Sequence, residues 1–425
     1  MTSEDLEKAL GVAVREVVTP GDEGTLAKFV ENYAGDQRKI LASGSASKLA
    51  WGAVPDVSEL TVVRLTGLNK ITDHDPANLT VSVEAGVPYR ILQQTLAEHG
   101  QWLPLDSPWS EEATLGGIVA AAASGPRRYG YGAPRDLVLG VRLVLPDGSA
   151  VHFGGKTVKN VAGYDVTKLL VGSFGTLAFL TEITFRLRPL PSEERSLLVS
   201  FDDPDSLDRA VETVLRSPDP VVAVEAVGPR GADLLDSRGV SVAAGAYLLA
   251  LRLEGTGPVL EVAAQRLASG LGEGSTGARS TVLEASDSAT FWSNYERVFY
   301  RDWQRAGAVL KVRGPVRNAV KLLAVLESVG AGHVWVGAGT GVGFLRVESD
   351  DVDLVSLLGE VRSALRPLQA RADLLVAQPS AARLVCDAGI PLWEIPNSLL
   401  AKMREVKRIF DPADLLAPGR FVGGI

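Results

Sequence analysis

Leu115-Gly116-Gly117-Ile118 runs into Ala120-Ala121-Ala122-Ala123-Ser124-Gly125, and small residues keep recurring downstream. Arg128-Tyr129-Gly130-Tyr131-Gly132 follows, then the turn Pro146-Asp147-Gly148 and Asn160-Val161-Ala162-Gly163-Tyr164-Asp165. The stretch closes on Gly172-Ser173-Phe174-Gly175-Thr176-Leu177 and Thr181-Glu182-Ile183-Thr184. Glycine clusters let main-chain N–H groups come close to a ligand with no Cβ in the way. An extended, amphipathic ligand needs such a surface, and a simple packed core does not.

Working outward, the pattern predicts a surface helix over 21–35, with Leu26, Phe29 and Val30 on one face. A short strand, Lys39-Ile40-Leu41-Ala42, leads into the loop Ser43-Gly44-Ser45-Ala46-Ser47-Lys48. Residues 80–86 alternate as a half-buried strand does. Pro88 suits the first turn of a helix that Gly100 stops. Residues 137–145 and 151–153 make a hairpin about Pro-Asp-Gly. Residues 181–188 alternate again, with Ile183, Phe185 and Leu187 on one side.

Pro189-Leu190-Pro191 with Ser192-Glu193-Glu194 is the linker candidate. Beyond it, strand patterns over 247–253, 308–312, 344–347 and 374–377 alternate with helical ones over 258–268, 316–328 and 352–366. That suits an α+β domain with helices on one face of a sheet. A last helix begins near Asn397 or Ser398, with Leu399, Met403, Val406 and Phe410 on one face. The expected domains are 1–191, 192–394 and a C-terminal helix and tail, 395–425, returning to the first domain.

A chain of 425 residues is too long for one core. The net charge of −8 carries no basic stripe, which argues against nucleic acid. No apolar run approaches the roughly 20 residues that a bilayer needs. The N-terminus lacks a signal-peptide pattern, so the expected compartment is the cytoplasm. The single cysteine, Cys386, excludes an internal disulfide framework and a Cys-ligated iron–sulfur cluster within this sequence.

The order of these segments resembles the FAD-binding domain of the vanillyl-alcohol oxidase / p-cresol methylhydroxylase superfamily, and within it the glycolate oxidase E-subunit family. The closer likeness rests on Glu111-Glu112-Ala113-Thr114, Ser124-Gly125-Pro126-Arg127-Arg128, Arg135-Asp136-Leu137-Val138-Leu139-Gly140 and Lys159-Asn160-Val161-Ala162-Gly163-Tyr164-Asp165. Phe410-Asp411-Pro412 and Pro418-Gly419-Arg420 extend it to the C-terminus. The resemblance implies an α+β fold: a two-part FAD-binding domain plus an α+β cap with a largely antiparallel sheet. It implies FAD, and FAD-binding roles for Ser43, Gly44, Ser45, Ala46, Ser47, Lys48, Ser107, Thr114, Leu115, Gly116, Gly117, Ser124, Tyr131, Gly132, Arg135, Glu182 and Ile183.

The chemistry of those residues fits the roles. A pyrophosphate dianion is held well by several converging N–H groups. The loop of residues 43–47 offers these with three hydroxyls, Gly116-Gly117 can close from the other side, and Lys48 adds charge. A plain strand–turn loop is the structural alternative. Residues 121–125 can form a flat platform for the isoalloxazine or a tightly packed Ala-rich helix. Ile183 sits where the family's main chain pairs with adenine, or else in an ordinary core strand.

Some relatives tether flavin through a histidine in the phosphate loop; residues 43–51 contain none, so the FAD is expected to be noncovalent. His74, His99, His152 and His333 are scattered, and only His333 falls where hydroxy-acid-oxidising relatives carry metal ligands, so no metal is expected. Ala417 replaces the family's usual Asn before Pro418-Gly419. The glycine run from Gly337 to Gly343 lacks dinucleotide spacing and reads as a hairpin bend. Lys311 and Arg313 share a strand face and can clamp a carboxylate or line a solvated edge; they are the catalytic candidates. Phe291, Trp292, Tyr295, Phe299, Tyr300 and Trp303 suit core packing or a subunit contact.

By resemblance, the function is that of an FAD-dependent oxidoreductase subunit in a glycolate oxidase-type complex acting on glycolate or D-lactate. The implied partners are a paralogous FAD-binding catalytic subunit and an iron–sulfur subunit, with any membrane association peripheral and through them. A stand-alone oxidoreductase acting on a polyol, lactone or hydroxy acid, and a non-catalytic structural subunit, are the alternatives.

Overall fold

The computed structural model describes residues 2–108, 111–156, 165–237, 243, 245–272, 278–301, 303, 306–349 and 351–425. The Lys159–Asp165 motif therefore lies outside the described residues, apart from Asp165. The chain forms two compact units. The first comprises Met1–Gly125, Gly132–Leu190 and Gln378–Ile425; the second comprises Pro126–Tyr131 and Pro191–Ala377. The return to the first unit thus comes at Gln378, earlier than the expected 395. Pro126–Tyr131 belongs to the second unit, which no composition signal announced.

The first unit holds two main sheets. Ala13–Val18, Glu59–Arg64 and Ile40–Ser43 form a three-stranded parallel sheet with Glu59–Arg64 in the centre. The helix Glu23–Gly35 is capped by Asp22, whose carboxylate accepts from Thr25 N at 2.7 Å, and it buries Leu26, Val30 and Tyr33. The second sheet is antiparallel, in the order Ile71–Asp75, Thr80–Glu84, Phe179–Arg186, Val138–Val144, Ala150–Gly154. Its hairpin turns at Pro146-Asp147-Gly148, where Gly148 takes φ +85°. Val83, Leu92, Leu143, Ile183 and Phe185 fill one core.

The C-terminal tail adds to the parallel sheet. Ile40 N donates to Leu415 O at 2.9 Å, and Ala417 N donates back to Ile40 O at 2.8 Å. The helix before it, Asn397–Phe410, packs Val406 and Phe410 against the antiparallel-sheet core. One buried ion pair fixes its end. Lys407 Nζ reaches Asp411 Oδ2 at 2.7 Å and the carbonyls of Thr176 and Leu416 at 2.9 Å each. Asp411 in turn accepts from Leu415 N and Leu416 N.

The second unit is an eight-stranded antiparallel sheet. Its order is Arg279–Leu283, Glu193–Phe201, Tyr247–Gly255, Val221–Val227, His333–Gly337, Val342–Val347, Ala308–Arg313, Arg371–Ala377. Val221–Val227 is buried at every position, so both of its faces are covered. The aromatic residues of Ala285–Tyr300 pack inward: Tyr295 OH donates to buried Glu225 at 2.8 Å and Trp292 Nε1 to Ser196 at 2.8 Å. Of the two readings of that cluster, it is core. Among the described residues no helix is long and apolar enough to cross a membrane.

Candidate cofactor site

The parallel strand Ile40–Ser43 ends at the loop of residues 43–48, which faces the segment around Thr114. The approach is close: a Cβ on Gly44 would collide with Thr114 Oγ1. Two adjoining clefts open here, of about 70 and 80 Å³, and both are lined by Ala42, Ser43, Gly44, Thr114, Gly117, Ala120 and Phe174. One continues past Ala85 and Gly116, the other past residues 45–49 to Arg420. Each is the size of a phosphate-like group rather than of a dinucleotide. A larger cleft, about 590 Å³, is lined by residues such as Asp56, Arg383, Trp393 and Phe421 and includes none of the expected site residues.

The two sides of the site differ in what their amides do. Among the described residues, the N–H groups of Gly44, Ser45, Ala46 and Ser47 have no protein acceptor. Ala46 is held at φ +64°, a left-handed conformation that lets successive amides converge as an anion nest. A non-glycine residue there is strained, and such strain collects at ligand sites. Lys48, 9% exposed, sits at the end of the loop with Nζ 3.4 Å from Ser47 Oγ. Free converging amides and nearby cations are the donor set a pyrophosphate needs, so these residues fit FAD at this point.

The facing glycines do not contribute in the expected way. Leu115 N donates to Val87 O at 3.0 Å, Gly116 N to Ala85 O at 2.7 Å, Gly117 N to Thr114 Oγ1 at 3.3 Å and Ile118 N to Thr114 O at 3.0 Å. Every one of those amides is already used. Gly116 is small because a Cβ there would sit 2.8 Å from Ala85 Cβ and 2.9 Å from Ala85 O. Its role is packing, and closure of the site from this side falls to surface shape rather than to donated hydrogen bonds.

The platform residues form neither a flat run nor a long helix. The helix Leu115–Ala120 ends, and Ala122 turns left-handed at φ +47°. Gly125 N then donates to Asp106 Oδ1 at 3.0 Å, which brings half-buried Ser124 near the segment carrying Ser107, itself fully buried and bonded to Pro108 O.

Ser107, Leu115, Ser124, Tyr131, Gly132, Arg135, Glu182 and Ile183 do not line these two clefts. Tyr131 belongs to the second unit, where its hydroxyl donates to Glu254 Oε2 at 2.5 Å. Burial first, and then that carboxylate, push its pKa well above the usual value. Arg135 is exposed, on the short helix that follows Gly132. Glu182 accepts from Thr72 Oγ1 at 2.7 Å. Ile183 lies mid-sheet between Val83 and Val141 with its side chain wholly buried.

Sequence reasoning missed Phe174, Asp106 and above all Arg420. The signal for Arg420 was present: it is the one charge in Leu415-Leu416-Ala417-Pro418-Gly419-Arg420-Phe421-Val422.

In the second unit, Lys311 and Arg313 share the strand Ala308–Arg313, and Arg313 is paired with Asp373. Lys311 Nζ makes no hydrogen bond among the described residues. Burial, with Arg313 and Arg128 beside it, lowers its pKa to about 8, against the opposing pull of Asp373. His333 Nε2 lies 3.5 Å from Glu348 Oε1, and burial lowers the His333 pKa. Among the described residues no cluster of three or more His, Cys, Asp or Glu could hold a metal.

Residues 14–154 match the model of an FAD binding domain, and residues 392–421 match that of the C-terminal domain of FAD linked oxidases. The first match spans about a third of the chain and the second its C-terminal end. It is 39% identical over 173 residues to glycolate oxidase subunit GlcE of Escherichia coli (strain K12), covering 40% of this chain and 49% of that protein. It is 31% identical over 199 residues to glycolate oxidase subunit GlcD of Bacillus subtilis (strain 168), covering 47% and 42% respectively. Against a D-lactate dehydrogenase of Anaerostipes hadrus the figures are 35% over 175 residues, covering 41% and 36%. The matches thus span half or less of these curated relatives. A solved alkyldihydroxyacetonephosphate synthase shares the fold over 95% of this chain and 76% of its own, with a TM-score of 0.66 at 17% identity.

Proposed function

We propose that this chain is the FAD-binding oxidoreductase subunit of a glycolate oxidase-type complex. Its substrate class is a 2-hydroxy acid, glycolate or D-lactate, and its electrons pass to an iron–sulfur partner. The observation that carries the substrate class is the buried ammonium of Lys311 in the second unit, which makes no hydrogen bond among the described residues. Its neighbour Arg313 on the same strand is paired with Asp373. A buried cation of this kind can hold a small carboxylate. The relatives named as glycolate oxidase subunits and D-lactate dehydrogenases act on, or take their names from, such acids.

Oxidation of a 2-hydroxy acid to a 2-oxo acid removes the α-hydrogen with its electron pair and the hydroxyl proton. Bound FAD supplies the acceptor for the hydride equivalent. The chain's residues would hold and orient: the amides of residues 44–47 would take the cofactor's phosphates, and Lys311, charged below about pH 8, would hold a carboxylate. With no histidine in residues 43–51, the cofactor is retained without a covalent bond and leaves on acid denaturation. Cys386 alone cannot ligate a cluster, which supports a partner as the next electron carrier. Anaerobic mixing of glycolate or D-lactate with the FAD-loaded chain, alone and reassembled with the partner subunits, tests this. Flavin bleaching is expected in the assembly and negligible in the isolated chain. An assembly that no 2-hydroxy acid reduces would refute it, and rapid bleaching in the isolated chain would make the protein a self-sufficient oxidoreductase.

A further inference from the structure

One cation beside the phosphate loop has no counter-ion. Arg420 is 5% exposed. Its Nη2 donates to the carbonyls of Leu49 at 2.8 Å and Trp51 at 2.7 Å, and Nη1 reaches Ala53 O at 3.4 Å. Among the described residues it forms no ion pair with a carboxylate. Burial lowers its pKa to about 10, which still leaves it charged at neutral pH. Carbonyl dipoles satisfy donors without cancelling the net charge, and a buried charge without a counter-ion is costly. The residues lining the cleft it shares with residues 43–49 include no Asp or Glu at all, only Lys48, Arg420 and neutral groups.

We propose that Arg420 is the fixed positive charge of the phosphate subsite, its guanidinium complementing the pyrophosphate of FAD while it pins the carbonyls of Leu49 and Trp51. This rests on the reading of that cleft as the FAD site. The strand-like tail at 415–417 and the end of the phosphate loop are then held by one side chain. Anion binding and tail docking reinforce each other, because each removes part of the cost of burying the same charge. Nothing in the amide nest alone requires the tail; Arg420 does.

The test uses apo-protein titrated with FAD by flavin fluorescence, with ADP and adenosine as competing probes. These share the adenine and ribose and differ in phosphate, so their ratio isolates the charge. In the wild type ADP is expected to displace FAD far better than adenosine. Arg420→Gln is expected to cut that preference, and FAD affinity with it, by about tenfold or more, the size of a lost charge-assisted hydrogen bond. Arg420→Lys, which keeps the charge and loses the fork, is expected to retain most of the preference. An unchanged ADP preference in Arg420→Gln, or equal loss in both variants, would overturn the proposal and leave Arg420 a pin. Should Arg420→Gln not fold, a folded Arg420→Lys that has lost the preference overturns it equally. Wild-type protein that binds no FAD would instead remove the site reading beneath it, a distinguishable result.

Discussion

Two glycine-bearing segments face each other in the first unit, and they do opposite things. Residues 44–47 leave their amides without protein acceptors and place Ala46 in a strained left-handed turn. Residues 115–118 spend every amide on Val87, Ala85 or Thr114. Both read from sequence as ligand loops, because both combine small residues with a preceding strand or cap. The difference teaches that a glycine can mark close approach to protein as readily as to ligand. Gly116 is bare because Ala85 is there.

The comparison can be broken or sharpened in order of expected effect. The open loop depends on the tail beneath it, so Lys407→Met should have the greatest consequence. Removing one partner of the buried Lys407–Asp411 pair is expected to cost about 3–5 kcal/mol, read by chemical denaturation. Amide exchange should speed up at residues 415–417 and flavin content should fall. A loss below about 1 kcal/mol would show the tail to be a passenger.

The glycine pair separates next. Gly116→Ala drives a methyl into Ala85 and is expected to cost about 1–3 kcal/mol of stability, with flavin bound normally by whatever fraction folds. Gly44→Ala presses on Thr114 at the mouth of the cleft and should lower FAD affinity more than stability. Thermal unfolding with and without excess FAD distinguishes them. If the two variants lose flavin and stability in the same proportion, the division between open and closed loop is wrong.

The smallest effect concerns the second unit, where a buried ammonium rather than an amide nest is the proposed anion holder. The Lys311 pKa falls from an ordinary 10.5 to about 8 in the fold. Unfolding therefore takes up a proton between these values, so this group's contribution to stability rises with pH across that window. Carboxylate affinity runs the other way: it is present below about pH 8 and should weaken about tenfold per pH unit above it. Substrate binding in the assembled complex, followed against pH, reads this directly. A flat profile from pH 7 to 9, or one unchanged in Lys311→Met, would remove Lys311 from the site.

Much of the fold was legible because its signals are local. The Pro146-Asp147-Gly148 hairpin, the Asp22-capped helix and the alternation through Ile183, Phe185 and Leu187 each rest on residues a few positions apart. The open amides of residues 44–47 have a local cause as well, the left-handed turn at Ala46. The bond of Tyr131 to Glu254 was not legible, because its partner lies 123 residues away and nothing local marks a tyrosine aimed at a carboxylate. The both-sided burial of Val221–Val227 is equally a matter of what packs upon it.

By itself, then, the sequence determined which segments can present bare main chain, where chains must turn, and which faces are apolar, since backbone sterics and periodicity act over one or two turns. Tertiary structure decided which of those amides remain unspent and which charges go unpaired. Gly116 N meets Ala85 O across 31 positions of chain, and Arg420 meets Leu49 O across 371. A hydrogen bond or an ion pair belongs to two partners at once, and only the folded chain brings both to the same place.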